Sequence, residues 1–126
     1  MQRVVVTGLG TINPCGNNVE GTWSAVSNGR SGIGLITAFD ASDWPVQIAG
    51  EVKDWDASTA LDRRSAKRMD RFMQFALVAS LEAVADAGLE VGDDGLGDRT
   101  GVYVGSGIGG IAELCDGAEK LSTQGY

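Results

Sequence analysis

The stretch FMQFALVASLEAV, Phe72 to Val84, puts small and apolar side chains on nearly every side of a helix, interrupted only by Gln74, Ser80 and Glu82. A helix that is apolar around its whole circumference must be enclosed, whereas an amphipathic helix needs cover on one face only. The stretch belongs to the longest helix that the periodicity predicts, about Ser65 to Ala87, ended by Gly88. The first two turns of that helix are basic and amphipathic. Whatever fold this chain adopts must therefore supply several layers around the second half of one helix.

The flanking sequence supplies an α/β order. Arg3 to Thr7 is an unbroken β-branched run of the kind found in strands buried on both faces. Asn17 or Asn18 then caps a helix with Val19, Trp23 and Val26 on one side, and Asn28-Gly29 stops it. Ser31 to Pro45 reads as a long connection, and Val46 to Val52 alternates as a strand with one exposed face. Beyond the long helix, Gly88 to Arg99 is a surface loop and Thr100 to Ser106 a second buried strand. Ile111 to Leu121 is a helix with Ile111, Leu114, Ala118 and Leu121 on one face. Strand, helix, edge strand, buried helix, strand, helix predicts an α/β fold with right-handed crossovers. Two doubly buried strands and a helix apolar all round ask for more cover than these elements give. Residues 1–126 are therefore expected to be an incomplete part of a larger domain whose natural length exceeds Tyr126.

Composition narrows the function. With 43% hydrophobic residues and two prolines in 126, the chain is of a packed globular class. Phe72 to Leu81 falls short of the ~20 apolar residues that a membrane span requires. Met1 leads straight into a strand rather than an export signal, so no membrane span and a cytoplasmic location are expected. The net charge of −7 argues against a nucleic-acid partner. Five of the ten basic residues nevertheless fall between Arg63 and Arg71. On a helix, Arg64, Lys67, Arg68 and Arg71 would share one side. That patch is either a docking surface for one acidic partner or a solvated face partly neutralised by Asp62 and Asp70.

Several chemistries lack their residues. There is no histidine, so no Ser-His or Cys-His nucleophile can be complete in this chain. Cys15 and Cys115 have no CxxC spacing, which indicates neither a disulfide framework nor a metal site. Neither has a basic neighbour to stabilise a thiolate, and both read as packing residues. Asp93, Asp94 and Asp98 lie in the surface loop, and no carboxylate pair is spaced for acid-base work. Catalytic residues, metal and cofactor are all read as none.

Two glycine turns remain. In RVVVTGLG, Asn13-Pro14 stands where a dinucleotide fingerprint needs its third glycine. RTGVYVGSGIGGI has the GxGxxG spacing at Gly105, Gly107 and Gly110, with no following strand to carry a ribose carboxylate. A dinucleotide-binding module is the alternative these turns leave open. Glycines that let backbones approach closely are the favoured reading.

RVVVTGLGTINPCGNNVEGTW, GRSGIGLITAFDAS, IAGEVKDWD, AKRMDRFMQFALVASLEAVADAGL and TGVYVGSGIGGI, in this order, resemble the N-terminal region of the β-ketoacyl-acyl carrier protein synthases, in particular the elongating type II form. The resemblance covers essentially the whole chain. It implies a thiolase-like fold of layered α-β-α-β-α architecture, of which this chain is part of the N-terminal half, paired as a homodimer. It implies a decarboxylative condensation of an acyl-enzyme thioester with malonyl-acyl carrier protein, carried out by a cysteine and two histidines. None of the three is present here in matching context, so the chain by itself is expected to be inactive. By position, Ile108 matches the residue that lines the acyl pocket and gates its depth. Arg64, Lys67 and Arg68 match the basic patch that receives acyl carrier protein, an acidic partner. A non-catalytic partner subunit of chain-length-factor type would look much the same over this region.

Overall fold

The computed structural model describes residues 3–90, 92 and 97–125. Its helices are α1 (Val19–Ser27), α2 (Arg63–Ala66), α3 (Arg71–Asp86) and α4 (Ile111–Gln124), with 3₁₀ turns at Ala57–Thr59 and Gly97–Arg99. Strands β1 (Ile33–Leu35) and β2 (Ile48–Gly50) pair antiparallel, Gly34 opposite Ala49. The chain divides into two units, Met1–Asp56 with Leu77–Glu90, and Ala57–Ala76 with Val91–Tyr126.

In the first unit a match of spacings does most of the organising. Two extended residues rise by ~6.6 Å and four helical residues by ~6.0 Å, so positions i, i+2 on one segment can meet i, i+4 on the other. Gly8 lies against the Ala83 carbonyl and the Ala87 backbone, and Gly10 against the Ala79 carbonyl and the Ala83 backbone. A Cβ at either glycine would strike helix backbone. The same register recurs in hydrogen bonds. The Leu9 N–H donates to Asp86 Oδ2 at 2.9 Å, and the Thr11 N–H to Glu82 Oε2 at 2.9 Å. Glu82 also accepts from the Val19 N–H at 2.8 Å, placing a carboxylate at the N-terminus of α1. The polar residue that interrupts the apolar helix thus ties down two backbone segments that pass over it.

Asn18 caps α1 as the sequence predicts, its side chain accepting from the Gly21 N–H at 2.7 Å. Gly29 (φ 65°) and Gly88 (φ 61°) end their helices in the left-handed region. Asn13 closes a turn with Gly16 and donates to the hydroxyls of Thr11 and Thr22, both at 2.9 Å. The 31–45 connection, read as irregular, contains β1. Glu51 holds its far side, accepting from the Thr37 hydroxyl at 2.7 Å and the Ala38 N–H at 3.0 Å. The Thr37 hydroxyl above all, with the Thr37 and Ala38 N–H groups, lowers the Glu51 pKa below its ordinary value.

Three expectations are corrected. No strand forms at 3–7 or 100–106, where Val4 and Tyr103 are each 97% exposed. A strand meant for burial on both faces needs ladder partners and cover, and no described residue pairs with either run. The 46–52 strand shortens to Ile48–Gly50. The 65–87 helix is broken: α2 ends at Ala66, and α3 begins at Arg71. Gln74 Nε2 spans the break by donating to the carbonyls of Ala66 (3.0 Å), which also accepts from the Met69 N–H, and Met69 (3.1 Å). Among the described residues only Ala25 and Ala41 are buried apolar side chains, and α3 itself keeps Leu81 and Val84 exposed. The enclosure that its composition asks for is thus incomplete. Of the 88–99 loop, Asp93 and Asp94 lie outside the described residues, and Asp98 sits in a 3₁₀ turn.

Candidate functional site

Ile108 and the basic residues Arg64, Lys67 and Arg68 fall in the second unit. Asp62 starts its basic segment, its carboxylate accepting from the Arg64 and Ser65 N–H groups, both at 3.0 Å. The Ser65 hydrogen bonds are the leading cause of a lowered Asp62 pKa. Asp62 is thus the N-cap of α2 and stays ionised beside the cations that follow it.

Arg64, Lys67 and Arg68 are all exposed. They do not lie on one continuous helix, because the break after α2 puts Lys67 at its C-cap and Arg68 in the turn beyond. The i, i+3, i+4, i+7 stripe ending at Arg71 is corrected accordingly. Arg71 opens α3 with its guanidinium 5.1 Å from the Phe75 ring centroid, a cation–π arrangement within its own helix. What remains is a compact turn presenting three cations.

Asp70, at the end of that turn, has a different neighbour. Its carboxylate occupies the space a Cβ on Gly110 would fill. Gly110 is the N-cap of α4 and offers no side-chain hydrogen bond to it. Gly109, at φ 75°, lies against the Phe72 ring, with a Cβ position 3.6 Å from its edge. The Gly109 N–H donates to the Ser106 hydroxyl at 3.0 Å, closing a turn over residues 106–110. Ile108 sits at the tip of that turn, 76% exposed.

These contacts assign the glycines. A pyrophosphate at the N-terminus of α4 would meet the Asp70 carboxylate, where a dinucleotide site requires positive potential. The dinucleotide alternative is set aside on that ground. Gly105 and Gly107 face open space among the described residues. Sequence reasoning flagged Gly110, read Asp70 only as a neutraliser of the basic patch and Phe72 only as part of an apolar helix, and missed their contacts with Gly110 and Gly109, which cross a gap of about forty residues that no local pattern encodes.

Elsewhere, Cys15 is half-buried with its Sγ 4.0 Å from the Arg30 carbonyl. Cys115 is exposed, so the packing reading is corrected for it: its helix α4 has no cover from the described residues. In the first unit Leu9, Val19, Trp23 and Val26 line an apolar groove of ≈ 210 Å³. Among the described residues no three His, Cys, Asp or Glu side chains converge as a metal site, and no helix is long and apolar enough to cross a membrane.

Residues 1–125 match the family model described as beta-ketoacyl synthase, N-terminal domain. The chain is 50% identical over 124 residues to 3-oxoacyl-[acyl-carrier-protein] synthase 2 of Synechocystis sp., covering 98% of this chain and 30% of that protein. It is 46% identical to the protein of that name in Staphylococcus aureus and 44% in Coxiella burnetii, with the same coverage. Among solved structures it superposes on the ishigamide ketosynthase/chain length factor with a TM-score of 0.78 at 31% identity, covering 98% of this chain and 30% of that one. A type II polyketide ketosynthase in complex with its acyl-carrier protein gives a TM-score of 0.71 at 27% identity, with 99% of this chain and 32% of that one covered. The fold is accordingly the thiolase-like α/β fold in its N-terminal part, and the chain spans about 30% of the length of the curated relatives it matches.

Proposed function

The chain belongs to the beta-ketoacyl synthase family through its N-terminal domain, and from that premise we propose that it is the N-terminal part of an elongating synthase of fatty acid synthesis. The whole subunit would hold an acyl group as a cysteine thioester. Malonyl-acyl carrier protein loses carbon dioxide, and its enolate carbon attacks the thioester carbonyl and expels the cysteine thiolate. The product is a β-ketoacyl-acyl carrier protein two carbons longer. This chain has no histidine, so the imidazoles that stabilise the enolate and oxyanion would come from other residues of the subunit.

Its own contribution is docking and shape. Arg64, Lys67 and Arg68 would receive the acidic carrier protein, where charge complementarity raises the association rate and sets orientation. Ile108 would project into the acyl pocket near a homodimer interface, and the setting would be cytoplasmic. The observation that carries this reading is 44–50% identity to 3-oxoacyl-[acyl-carrier-protein] synthases over nearly the full chain. The exposed apolar runs around Val4 and Tyr103 support it, since no described residue pairs with or covers them. The ishigamide match supports a second reading, a non-catalytic partner of chain-length-factor type.

The test uses the product of the natural gene. Its intact mass should exceed the 13.1 kDa of this chain. Supplied with acyl- and malonyl-acyl carrier protein, it should release carbon dioxide and form the β-ketoacyl product. No acyl-enzyme and no condensation would overturn the catalytic reading. Condensation restored only by adding an active synthase subunit would select the partner reading.

A further inference from the structure

We propose that Asp70 and Phe72 are positioning residues for the 106–110 turn, and that through Asp70 the basic segment at 64–68 is coupled to Ile108. The inference rests on the functional reading above, which assigns the carrier protein to one end of this linkage and the acyl chain to the other. Asp70 stands two residues beyond Arg68, and its carboxylate fills the place a Gly110 side chain would take. Phe72 lies under Gly109 on the same stretch of chain. Ile108 is exposed, so its place is set by the turn beneath it rather than by packing of its own side chain. The turn has one internal side-chain bond, from the Gly109 N–H to Ser106, and α4 has no side-chain cap. Among the described residues, Asp70 and Phe72 are the side chains that meet Gly109 and Gly110 from outside the turn.

The direction of the coupling follows from charge. An acidic surface docked on Arg64, Lys67 and Arg68 raises negative potential beside Asp70. The N-terminus of α4 is where a carboxylate is favoured, because the helix dipole and free N–H groups present positive charge there. Docking thus presses Asp70 into its seat and firms the turn carrying Ile108. A loaded carrier would tighten the acyl site as it arrives.

The experiment compares D70N, D70A, G110A and F72L in the synthase from the natural gene. It reads three quantities: the Ile108 δ1-methyl NMR signal during titration with acyl carrier protein, kcat against KM, and the chain-length distribution of products. In the wild type the methyl signal should move as the carrier binds. A methyl group on Gly110 expels the Asp70 carboxylate, so G110A and D70A should abolish that movement alike. Both should lower kcat about tenfold through misplacement of the turn, leave KM within about twofold, and broaden the product distribution. The D70A/G110A double variant should be no worse than either single one, since both changes remove one contact. F72L should keep part of the response, and D70N should keep the turn while losing the response to docking, which separates charge from shape should G110A fail to fold. A methyl response persisting in D70A and D70N, or effects that add in the double variant, would overturn the coupling with the functional reading intact. A wild type that neither binds the carrier protein nor condenses would overturn the functional reading first, and the coupling with it.

Discussion

The two glycine turns look alike in sequence and differ in what touches them. At Gly8 and Gly10 the chain lies on helix α3, backbone against backbone, with the adjacent N–H groups bound by Asp86 and Glu82. At 105–110 only the end of the turn is engaged, by Asp70 and Phe72, while Gly105 and Gly107 face open space. The first turn is explained by packing inside the chain. The second is explained only at its far end, since among the described residues nothing lies where a Cβ on Gly105 or Gly107 would point. A GxG pattern after an apolar run thus reports a close approach without saying to what.

The contrast can be broken most forcefully at Gly10. Gly10→Val forces a branched side chain against the Ala79 carbonyl and should cost about 3 kcal/mol in a denaturation titration. Glu82→Ala comes next, at about 2 kcal/mol, because the Thr11 and Val19 N–H groups lose a charged acceptor in a partly buried place. Asn18→Ala removes the α1 cap and should cost about 1 kcal/mol. Gly105→Ala and Gly107→Ala, by contrast, should change the stability of the 126-residue chain by less than about 0.5 kcal/mol. A cost there like that at Gly10 would erase the distinction.

The smallest effect is a titration. The Glu51 pKa is depressed on folding, chiefly by the Thr37 hydroxyl. Its contribution to stability is present above the unfolded-state pKa and is lost as pH falls through the lower folded-state value. Thr37→Val should raise the Glu51 midpoint in a carboxyl NMR titration. An unchanged midpoint would show the N–H groups alone to be sufficient.

Local chemistry was legible where one residue decides the outcome. Asn18 as a cap, Gly29 and Gly88 as helix ends, and the helix from Ile111 follow from short-range rules, and α4 merely runs on to Gln124. The break between α2 and α3 was not legible, because RRSAKRMDRF contains no helix breaker and the group spanning it is the Gln74 side chain bonding backwards. Hairpin strand β1 was missed because three residues with a glycine at their centre give too short a pattern to read as alternation. The runs at Arg3 to Thr7 and Thr100 to Ser106 carry strand composition, but composition cannot provide ladder partners. At the site, the cluster of cations was visible in sequence; its arrangement on a turn, and the seat of Asp70 against Gly110, depend on contacts remote in the chain.

That last gap bears on the central proposal, that the apolar runs around Val4 and Tyr103 become paired strands only within a whole synthase subunit. Amide hydrogen exchange at Val4–Val6 and Val102–Val104, measured in the 126-residue chain and in the natural gene product, tests it directly. The account predicts rapid exchange in the former and strong protection in the latter. Equally rapid exchange in both would contradict it.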